Sequence, residues 1–422
     1  MTRLIVLFVT AFVDMVGLAM IVPLLPYYAT EFGASATVVG VLISSFSVAQ
    51  LIVAPMWGRF SDRYGRRPAI LAGLLVSGIA YVIFAYSRSV PLLLLSRVVQ
   101  GLGGGTIGVV QAYVADASEP SERTKSLGWL SAVTSLGAVA GPAFGSVMIR
   151  LGGREAPGLA AAALSVLVAG FAWRFLRESR ELRRSAAHAV LPARSGTEAI
   201  RRVVSHWHEP ASRLIWIYTI GIGAFYGTIQ TVPLLLARRF GVTEENIGYF
   251  VMYLGGMGVI VRTLILGRLV DRLGERRLST LGLGLLASGL GITGLCQREW
   301  LLMTGFTLMP LGTAFLFPCI TSLLSRVVPS HERGLYMGVQ HTFGGVSRVA
   351  FPIASGALMD QVSLGSPFWL SAILVLATVP LVRAIPSHVT APTDAAVARA
   401  RASSEMTGEF AVPPAPPVTE TD

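Results

Sequence analysis

The chain reads GRFSDRYGRR over residues 58–67 and GRLVDRLGER over residues 267–276. The two stretches carry glycine, aspartate and arginine at matching places and lie about 210 residues apart. Two shorter matches have the same spacing: Pro23-Leu24-Leu25 with Pro233-Leu234-Leu235, and Glu122-Arg123 with Glu332-Arg333. Three matches at one spacing indicate an internal duplication. We therefore predict that the chain folds as two related halves.

The composition places both halves in a membrane. Of the 422 residues, 53% are hydrophobic and only 14% are charged, whereas soluble domains carry roughly 25% charged residues. The apolar residues form blocks of about 20, the length at which a helix crosses a ~30 Å hydrocarbon core. Only helices and closed barrels satisfy the backbone in lipid. These blocks lack the alternation of barrel strands, so they are predicted to be helices.

Twelve such blocks occur, and we number them as spans 1 to 12 in chain order. They cover residues 4–26, 36–57, 69–87, 91–115, 126–149, 158–176, 212–236, 246–266, 279–297, 300–325, 335–359 and 367–384. We predict an all-α polytopic membrane protein with twelve transmembrane helices in two pseudo-symmetric six-helix bundles. The predicted parts are a first bundle at 1–176, a cytoplasmic linker at 177–211, a second bundle at 212–385 and a disordered cytoplasmic tail at 386–422.

The distribution of basic residues sets the orientation. With both termini inside, the inner segments hold 25 of the 34 basic residues and the outer loops hold six. The positive-inside rule therefore predicts cytoplasmic termini, in a multi-pass protein of a bacterial cytoplasmic membrane. This asymmetry accounts for the net charge of +11, so no nucleic-acid partner is implied. We call the basic side of the membrane the inner side throughout.

Metal and disulfide chemistry have no clear sequence signal. Cys296 and Cys319 lie in or near apolar spans and are expected to be buried apolar side chains. His206, His208 and Glu209 could suggest a metal site, but their place at the start of span 7 favours an interfacial role. We expect no metal and no cofactor, with a proton gradient as the energy source.

Four motifs carry a resemblance to a known family. They are Gly58-xxx-Asp62-Arg63-Tyr64-Gly65-Arg66-Arg67, Arg97-Val98-Val99-Gln100-Gly101, Gly128-x8-Gly137-xxx-Gly141-Pro142-xx-Gly145, and Asp14-Met15-Val16-Gly17-x5-Pro23-Leu24-Leu25-Pro26. The chain resembles the major facilitator superfamily over nearly its whole length, and most of all its twelve-span drug:proton antiporters, which include tetracycline exporters. The third motif departs at Ser146, where that group often has a second glycine.

The loop between spans 2 and 3 has the chemistry of a gate. Asp62 can cap a neighbouring helix N-terminus or pair with Arg66 one turn on, and Asp116 is a second partner for the arginines. The resemblance implies that such a cluster locks the inner side in one state; the alternative is that the charges only set topology. In the second half Glu275 and Arg326 stand with reversed polarity. The candidate gating residues are Gly58, Asp62, Arg63, Gly65, Arg66, Asp116, Arg123 and Asp271.

Span 5 carries small residues at every fourth position. Gly137, Gly141 and Gly145 share one helix face, which allows a second helix to approach closely in lipid. Pro142 removes a backbone hydrogen bond and can bend the span. Helix packing alone would account for this row, and its assignment as an antiporter motif follows from the resemblance.

Ionisable groups at membrane depth are costly and usually functional. Asp14 lies about ten residues into span 1, and Arg97 lies six residues into span 4. We predict that Asp14 carries the coupling proton and that Arg97 modulates it, because a nearby cation favours the ionised carboxylate. The alternative is a static buried pair.

Spans 7 and 11 supply the candidate substrate-binding residues, which are Tyr226, Gln230, His341 and Arg348. In span 11, His341, Gly344, Gly345 and Arg348 form one small and polar face. Arg348 could bind an anionic group of a substrate or pair with a carboxylate. In span 7, Tyr218 and Thr231 add hydrogen-bonding groups, although interface placement also accounts for tyrosines.

The function that we predict is proton-coupled efflux of small amphiphilic or drug-like molecules by alternating access, carried out by a monomer. One alternative is a proton-coupled uptake carrier for an anionic metabolite, with Arg348 as the substrate anchor. A second is a non-transporting membrane sensor, which would need a folded effector domain in the linker or tail. An enzyme is not expected, because the sequence has no clear nucleophile, metal or phosphate motif.

Overall fold

A computed structural model of the protein describes residues 2–104, 106–119, 121–176, 178, 196–329 and 332–385. Every regular element in these residues is an α-helix. The predicted tail, 386–422, and most of the predicted linker, 177–211, lie outside the described residues. The part of the linker that is described begins with a helix, Gly196–Ser205.

Each of the twelve predicted spans coincides with one helix or with a broken pair of helices. In the first half the spans are, in order, Thr2–Ile21 with Leu25–Glu31, Ala36–Tyr64, Arg66–Ala85, Val90–Gly104 with Ile107–Ala117, Arg123–Gly152, and Ala156–Phe175. In the second half they are Pro210–Ile229 with Val232–Phe240, Ile247–Leu264, Glu275–Leu295, Glu299–Val327, Arg333–Gln361, and Ser366–Ala377 with Val379–Arg383. A short helix, Leu266–Leu273, joins spans 8 and 9.

Span 11 differs from the other spans in polarity. Among the described residues, ten helices are long and apolar enough to cross a membrane, and the pair that forms span 7, bent by 41°, makes eleven. Span 11 has 29 residues, which at 1.5 Å per residue is about 43 Å and enough to cross. It is missing from that set because its polar face, with His341 and Arg348, lowers its mean hydropathy. The helices are thus consistent with the predicted twelve spans in two bundles.

The glycine row of span 5 packs against span 1. A side chain at Gly137, Gly141 or Gly145 would overlap the backbone or Cβ atoms of span 1. The carbonyl oxygens of Phe12 and Met20 mark the two ends of this contact, which runs for more than two helical turns. Small residues therefore hold these two helices together by close backbone approach, as expected for helices in lipid.

The two halves meet through spans 2 and 11 at the outer side. The Asp360 carboxylate accepts hydrogen bonds from the backbone N–H groups of Ala36 and Thr37 at 3.0 and 2.8 Å, and from the Thr37 hydroxyl at 2.7 Å. Asp360 in span 11 thus caps the N-terminus of span 2. About two turns deeper along span 2, the Ser44 hydroxyl donates to the Val349 carbonyl oxygen at 2.7 Å.

Spans 5 and 8 form the second contact between the halves, also at the outer side. The Ser146 hydroxyl donates to the Glu244 carbonyl oxygen at 3.1 Å and accepts from the Gly248 N–H at 3.0 Å. Nearby, the Tyr27 hydroxyl donates to the Val242 carbonyl oxygen at 2.9 Å. Ser146, which departs from the family motif, is therefore a contact between the halves.

Side chains near the inner ends of spans 2 and 11 are exposed. In the inner half of span 2, Met56 and Tyr64 are 60% and 53% exposed, and His341 near the inner end of span 11 is exposed as well. All the hydrogen bonds described above between the halves lie at the opposite, outer end. The molecule is therefore closed on the outer side and open towards the inner side.

Candidate functional site

A cavity of about 390 Å³ lies between the halves at the middle of the bundle. Spans 1, 2, 4 and 5 line it from the first half, and spans 7, 8 and 11 line it from the second. Its volume is within the range of small-molecule sites. Most of the lining is apolar. The polar lining residues are Ser47, Gln50, Arg97, Tyr226, Gln230 and Arg348, and no acidic residue is among the lining residues.

Arg97 is the cation that the first half brings to this central cavity. Its side chain is only 3% exposed and donates to the Gln100 side-chain oxygen. The guanidinium carbon lies 4.8 Å from the centroid of the Phe46 ring, within the range of a cation–π contact. Among the residues that the structure describes, its Nε has no hydrogen-bond partner. A buried arginine without a carboxylate is an unusual and energetically costly arrangement.

Arg348 is the cation that the second half brings. It is half-buried, and its guanidinium carbon lies 5.2 Å from the centroid of the Tyr226 ring. The Nε of Arg348 is also buried without a partner. Ala138, which occupies the corresponding position in the first half, lines the same cavity. The internal duplication is therefore broken at this point, and span 11 alone supplies the charge.

Asp14 lies in a second cavity, of about 590 Å³, inside the first half. Spans 1, 4 and 5 line it, with Gln111, Ser131 and Thr134 among its polar groups. The two cavities share Met15 and Ile107 as lining residues. A group bound in the central cavity and a proton on Asp14 would therefore be neighbours along span 1 without occupying one site.

The inner charge cluster is centred on Arg66, whose side chain is 14% exposed. Its Nη1 lies 3.0 Å from a carboxylate oxygen of Asp62, and its Nε lies 3.2 Å from one of Asp116. The same Nη1 donates to the Ser61 hydroxyl at 2.9 Å. Arg66 therefore ties the loop to the inner ends of spans 2 and 4.

The carboxylate that caps the start of span 3 is Glu178, while Asp62 forms the predicted pair with Arg66. The backbone N–H groups of Arg66 and Arg67, at the start of span 3, donate to the two oxygens of Glu178 at 3.0 and 3.3 Å. Gly65 has a φ of +111°, and a side chain there would collide with the Glu178 carboxylate. Glycine at 65 thus makes room for the cap, and Asp62 remains available for Arg66.

The second half contains the reversed pair. Arg326 Nη2 lies 2.7 Å from a Glu275 carboxylate oxygen, which also accepts a hydrogen bond from the Ser322 hydroxyl at 2.7 Å. Asp271, the counterpart of Asp62, has an exposed side chain. Both halves therefore have an ion pair at this place, but the charges are exchanged between spans: Arg66 with Asp116 in the first half, and Glu275 with Arg326 in the second.

Comparison with known proteins agrees with this architecture. The family model for the Major Facilitator Superfamily matches residues 7–278 and 256–415. The chain belongs to the major facilitator superfamily. It is similar to Multidrug resistance protein 2 of Bacillus subtilis (strain 168), with 28% identity over 386 residues, 89% of this chain and 93% of the relative. It is also similar to Tetracycline resistance protein, class B, of Escherichia coli, with 26% identity over 365 residues, 86% of this chain and 88% of the relative.

Solved structures share the fold. The human organic anion transporter MFSD10 (TETRAN) has a TM-score of 0.65 and 22% identity, covering 90% of this chain and 99% of its own. A bacterial homolog to the human lysosomal transporter Spinster, in an inward-facing and unoccupied conformation, has a TM-score of 0.69 and 16% identity, covering 91% of this chain and 94% of its own. The predicted family is thereby confirmed. This facilitator is a multi-pass membrane transporter of small molecules and not an enzyme.

The predicted coupling pair is not joined in this conformation of the transporter. Both residues are described, and no ion pair connects Asp14 with Arg97. Tyr81 of span 3 is 2% exposed and close enough to interact electrostatically with both. Its ring is in van der Waals reach of Gly17, one turn from Asp14. Asp14 and Arg97 therefore both interact with Tyr81 but not directly with each other.

The other predicted substrate residues are divided between the cavity and its surroundings. Tyr226, Gln230 and Arg348 line the central cavity, whereas His341 is exposed nearer the inner end and is not among the lining residues. Tyr218 packs edge-on against Phe317, with ring centroids 5.6 Å apart.

Three more predicted residues have local contacts or are half-buried. The Arg123 Nε donates to the Ala115 carbonyl oxygen at 3.1 Å, Arg63 lies over the Tyr64 ring, and Gly58 is half-buried.

Sequence reasoning missed several residues of the transporter's site. Gln50 and Ser47 line the cavity from span 2, and polar residues inside an apolar block were a usable signal. Gln100 was within a quoted motif but had no assigned role. Tyr81 gave no signal, because one aromatic residue in an apolar span is most simply a packing residue.

Proposed function

We propose that this transporter exports small amphiphilic, drug-like molecules in exchange for protons. The observation that carries the proposal is the central cavity, which is mainly apolar, has six polar groups and adjoins the cavity of Asp14. The names of the similar proteins, which include multidrug and tetracycline resistance proteins, support it. The transporter works as a monomer in a bacterial cytoplasmic membrane, has cytoplasmic termini and needs no cofactor.

Alternating access provides the cycle. The inward-open form admits substrate from the cytoplasm, and the outer contacts of Asp360 and Ser146 keep the other side shut. In the proposed cycle the substrate then leaves outward, a proton binds Asp14, and the proton is released inside. Because Asp14 and the substrate occupy adjoining cavities, we assign the coupling to span 1 and to the Tyr81–Gln100–Arg97 path.

The inner cluster is the proposed gate. In the inward-open form, Arg66 holds the inner ends of spans 2 and 4 within the first half through Asp62 and Asp116. Closure of the inner side would bring the second half, with Glu275 and Arg326, towards this cluster. The reversed polarity of the two copies gives complementary charges for that approach.

A toxicity panel in a host that lacks its own efflux pumps tests the function. Expression should raise resistance to one or more amphiphilic compounds, and a pH gradient should drive their flux in proteoliposomes. Asp14→Asn should abolish the proton-driven flux while leaving substrate binding measurable. Glu155→Gln, which removes a half-buried outer carboxylate paired with Arg88, is the matched control and should behave as wild type. Proton-driven export that survives Asp14→Asn would exclude Asp14 as the carrier.

A second candidate is proton-coupled uptake of an anionic metabolite. The observation that favours it is the pair of arginines, one from each half, in a cavity whose lining contains no acidic residue. Flux in inverted vesicles separates the two functions, because a proton gradient of one direction drives an exporter and an importer oppositely. Net proton-driven accumulation of an anion on the cytoplasmic side would show that the transporter is an uptake carrier and not an exporter.

A further inference from the structure

We infer that the linker helix Gly196–Ser205, together with Trp207, is a docking surface for anionic phospholipids of the inner leaflet. This inference goes beyond the transport function and does not depend on it. It concerns a segment outside the two bundles that ends four residues before span 7 begins at Pro210. The helix therefore has to lie close to the membrane surface.

One side of the helix is fixed to the second half. Ala199 and Val203 are 2% and 0% exposed, and the Trp216 side chain of span 7 donates to the Val203 carbonyl oxygen at 3.3 Å. Arg202 makes a bidentate pair with the Glu209 carboxylate, with distances of 2.9 to 3.1 Å. These contacts set the rotation of the helix about its own axis.

The neighbouring side of the helix is apolar, and none of the residues that the structure describes covers it fully. Ile200, Val204 and Trp207 are 36%, 56% and 50% exposed. Ile200 and Val204 are four residues apart and lie along one line of the helix surface, and Trp207 follows in the turn after the helix ends at Ser205. At 3.6 residues per turn, this line is about 100° from the buried line through Ala199 and Val203. A soluble surface would not present three large apolar groups in this way, whereas an interfacial helix does.

The remaining sides of the helix carry both signs of charge, because Glu198 is exposed there as well as Arg201, and the excess of basic charge comes from the neighbouring inner rim. Arg201 and Ser205 are exposed and lie beyond the apolar line. The inner rim of the same half adds the exposed side chains of Arg277 and Arg383. Exposed tryptophan at the end of an apolar line is typical of the headgroup level, and basic side chains at that level favour anionic lipids. The proposed occupant is thus an anionic phospholipid.

The test compares two adjacent positions in the full-length protein. Cys296→Ala and Cys319→Ala remove the native thiols, and Val204→Cys or Ser205→Cys introduces one site for an environment-sensitive fluorophore. In vesicles of phosphatidylglycerol and phosphatidylcholine, lipid-borne nitroxide should quench the label at position 204 several-fold more than the label at 205. Aqueous iodide should show the reverse order.

A second part of the experiment tests whether the helix prefers anionic lipids. Replacing phosphatidylglycerol by phosphatidylcholine should shift the label at 204 towards water. Arg201→Gln should lower the preference for phosphatidylglycerol about fivefold, since one basic residue at the surface is worth about 1 kcal/mol. Arg88→Gln, on the outer side, is the control and should leave the preference unchanged. Glycerol phosphate in solution should not displace the label from the lipid, which identifies the headgroup in a bilayer as the ligand.

Three results would overturn the inference. Equal lipid quenching at 204 and 205 would show that the helix has no lipid-facing side. Shielding of position 204 from both quenchers would show that another protein segment covers it. Equal signals in the two lipids would remove the anionic preference. None of these results bears on export or uptake, so the transport proposal is judged separately.

Discussion

Removing the Asp360 carboxylate should shift the transporter towards an outward-open form. This carboxylate accepts three hydrogen bonds from Ala36 and Thr37, at the first turn of span 2. Because Asp360 belongs to span 11, these bonds join the two halves and must break before the outer side can open. Asp360→Ala deletes all three acceptor contacts and the charge that faces the positive end of the span 2 helix.

The size of the shift follows from what the carboxylate does. Loss of a helix N-cap costs about 0.5–2 kcal/mol, and a charge at an exposed helix end contributes about 0.3–1 kcal/mol. These two contributions overlap, and Asp360 is exposed. We therefore expect Asp360→Ala to destabilise the outer-closed form by about 1–2 kcal/mol. That corresponds to a rise of about 5–30-fold in the ratio of outward-open to inward-open molecules.

Thiol labelling from outside measures this ratio. Ser44 is 2% exposed and lies in the contact between spans 2 and 11, so Ser44→Cys reports opening in a background that lacks Cys296 and Cys319. A membrane-impermeant maleimide should modify it about 5–30 times faster when Asp360→Ala is added, in proportion to the open population.

A weak contact across the same interface gives the control. Arg150 Nε lies 3.8 Å from a Glu245 carboxylate oxygen, and both side chains are largely exposed. Exposed pairs contribute about 0–1 kcal/mol, so Glu245→Gln should change the labelling rate much less than Asp360→Ala. Wild-type labelling of the Asp360→Ala protein, at equal membrane abundance, would refute the role of this cap in outer closure.

Three further results are expected. Because protonation removes the negative charge of Asp14, acidification should strengthen binding of an anionic substrate and weaken binding of a cationic one; binding titrations across pH check this, and the opposite signs would refute it. Asp62→Asn should cripple transport without loss of membrane abundance, because Arg66 loses one of its two carboxylates; normal flux would remove the gating role. Burial raises the pKa of Glu244, and the nearby carboxylates of Glu31 and Glu245 raise it further, although Arg154 opposes them. The closed outer side should therefore lose stability as the outside pH rises through the raised pKa of Glu244, and gain stability as the pH falls. The rate of labelling at Ser44→Cys should rise with pH accordingly. Glu244→Gln should abolish this pH dependence.

The helices were predictable because their signal is local. Each span is a block of apolar residues, and the duplication and the resemblance together indicated two bundles. The glycine row of span 5 was predicted to allow close helix packing, and Gly137, Gly141 and Gly145 do meet span 1. Features that depend on one helix, or on one short loop, were within reach of the sequence.

Features that depend on how helices face each other were not predictable. Glu178 caps span 3 from 112 positions away, through a side chain outside every motif. Asp360 meets Ala36 across 324 positions, and its carboxylate at a span end looked like an ordinary surface charge. Asp14 and Arg97 were expected to act as a pair, but the rotation of spans 1 and 4 directs them towards different cavities. Buried Tyr81 interacts electrostatically with both groups.

The polarity of span 11 has a consequence for how the protein is made. An arginine at the centre of a helix adds about 2.5–3.5 kcal/mol to insertion from the translocon, and Arg348 is near the middle of Arg333–Gln361. The cost falls when the helix leaves the translocon against a partner. Span 7 supplies that partner through Tyr226 under the guanidinium and through Thr219, whose carbonyl oxygen accepts from Ser347. The ribosome synthesises span 7 before span 11. We therefore expect insertion of span 11 to require that span 7 is already folded next to the translocon.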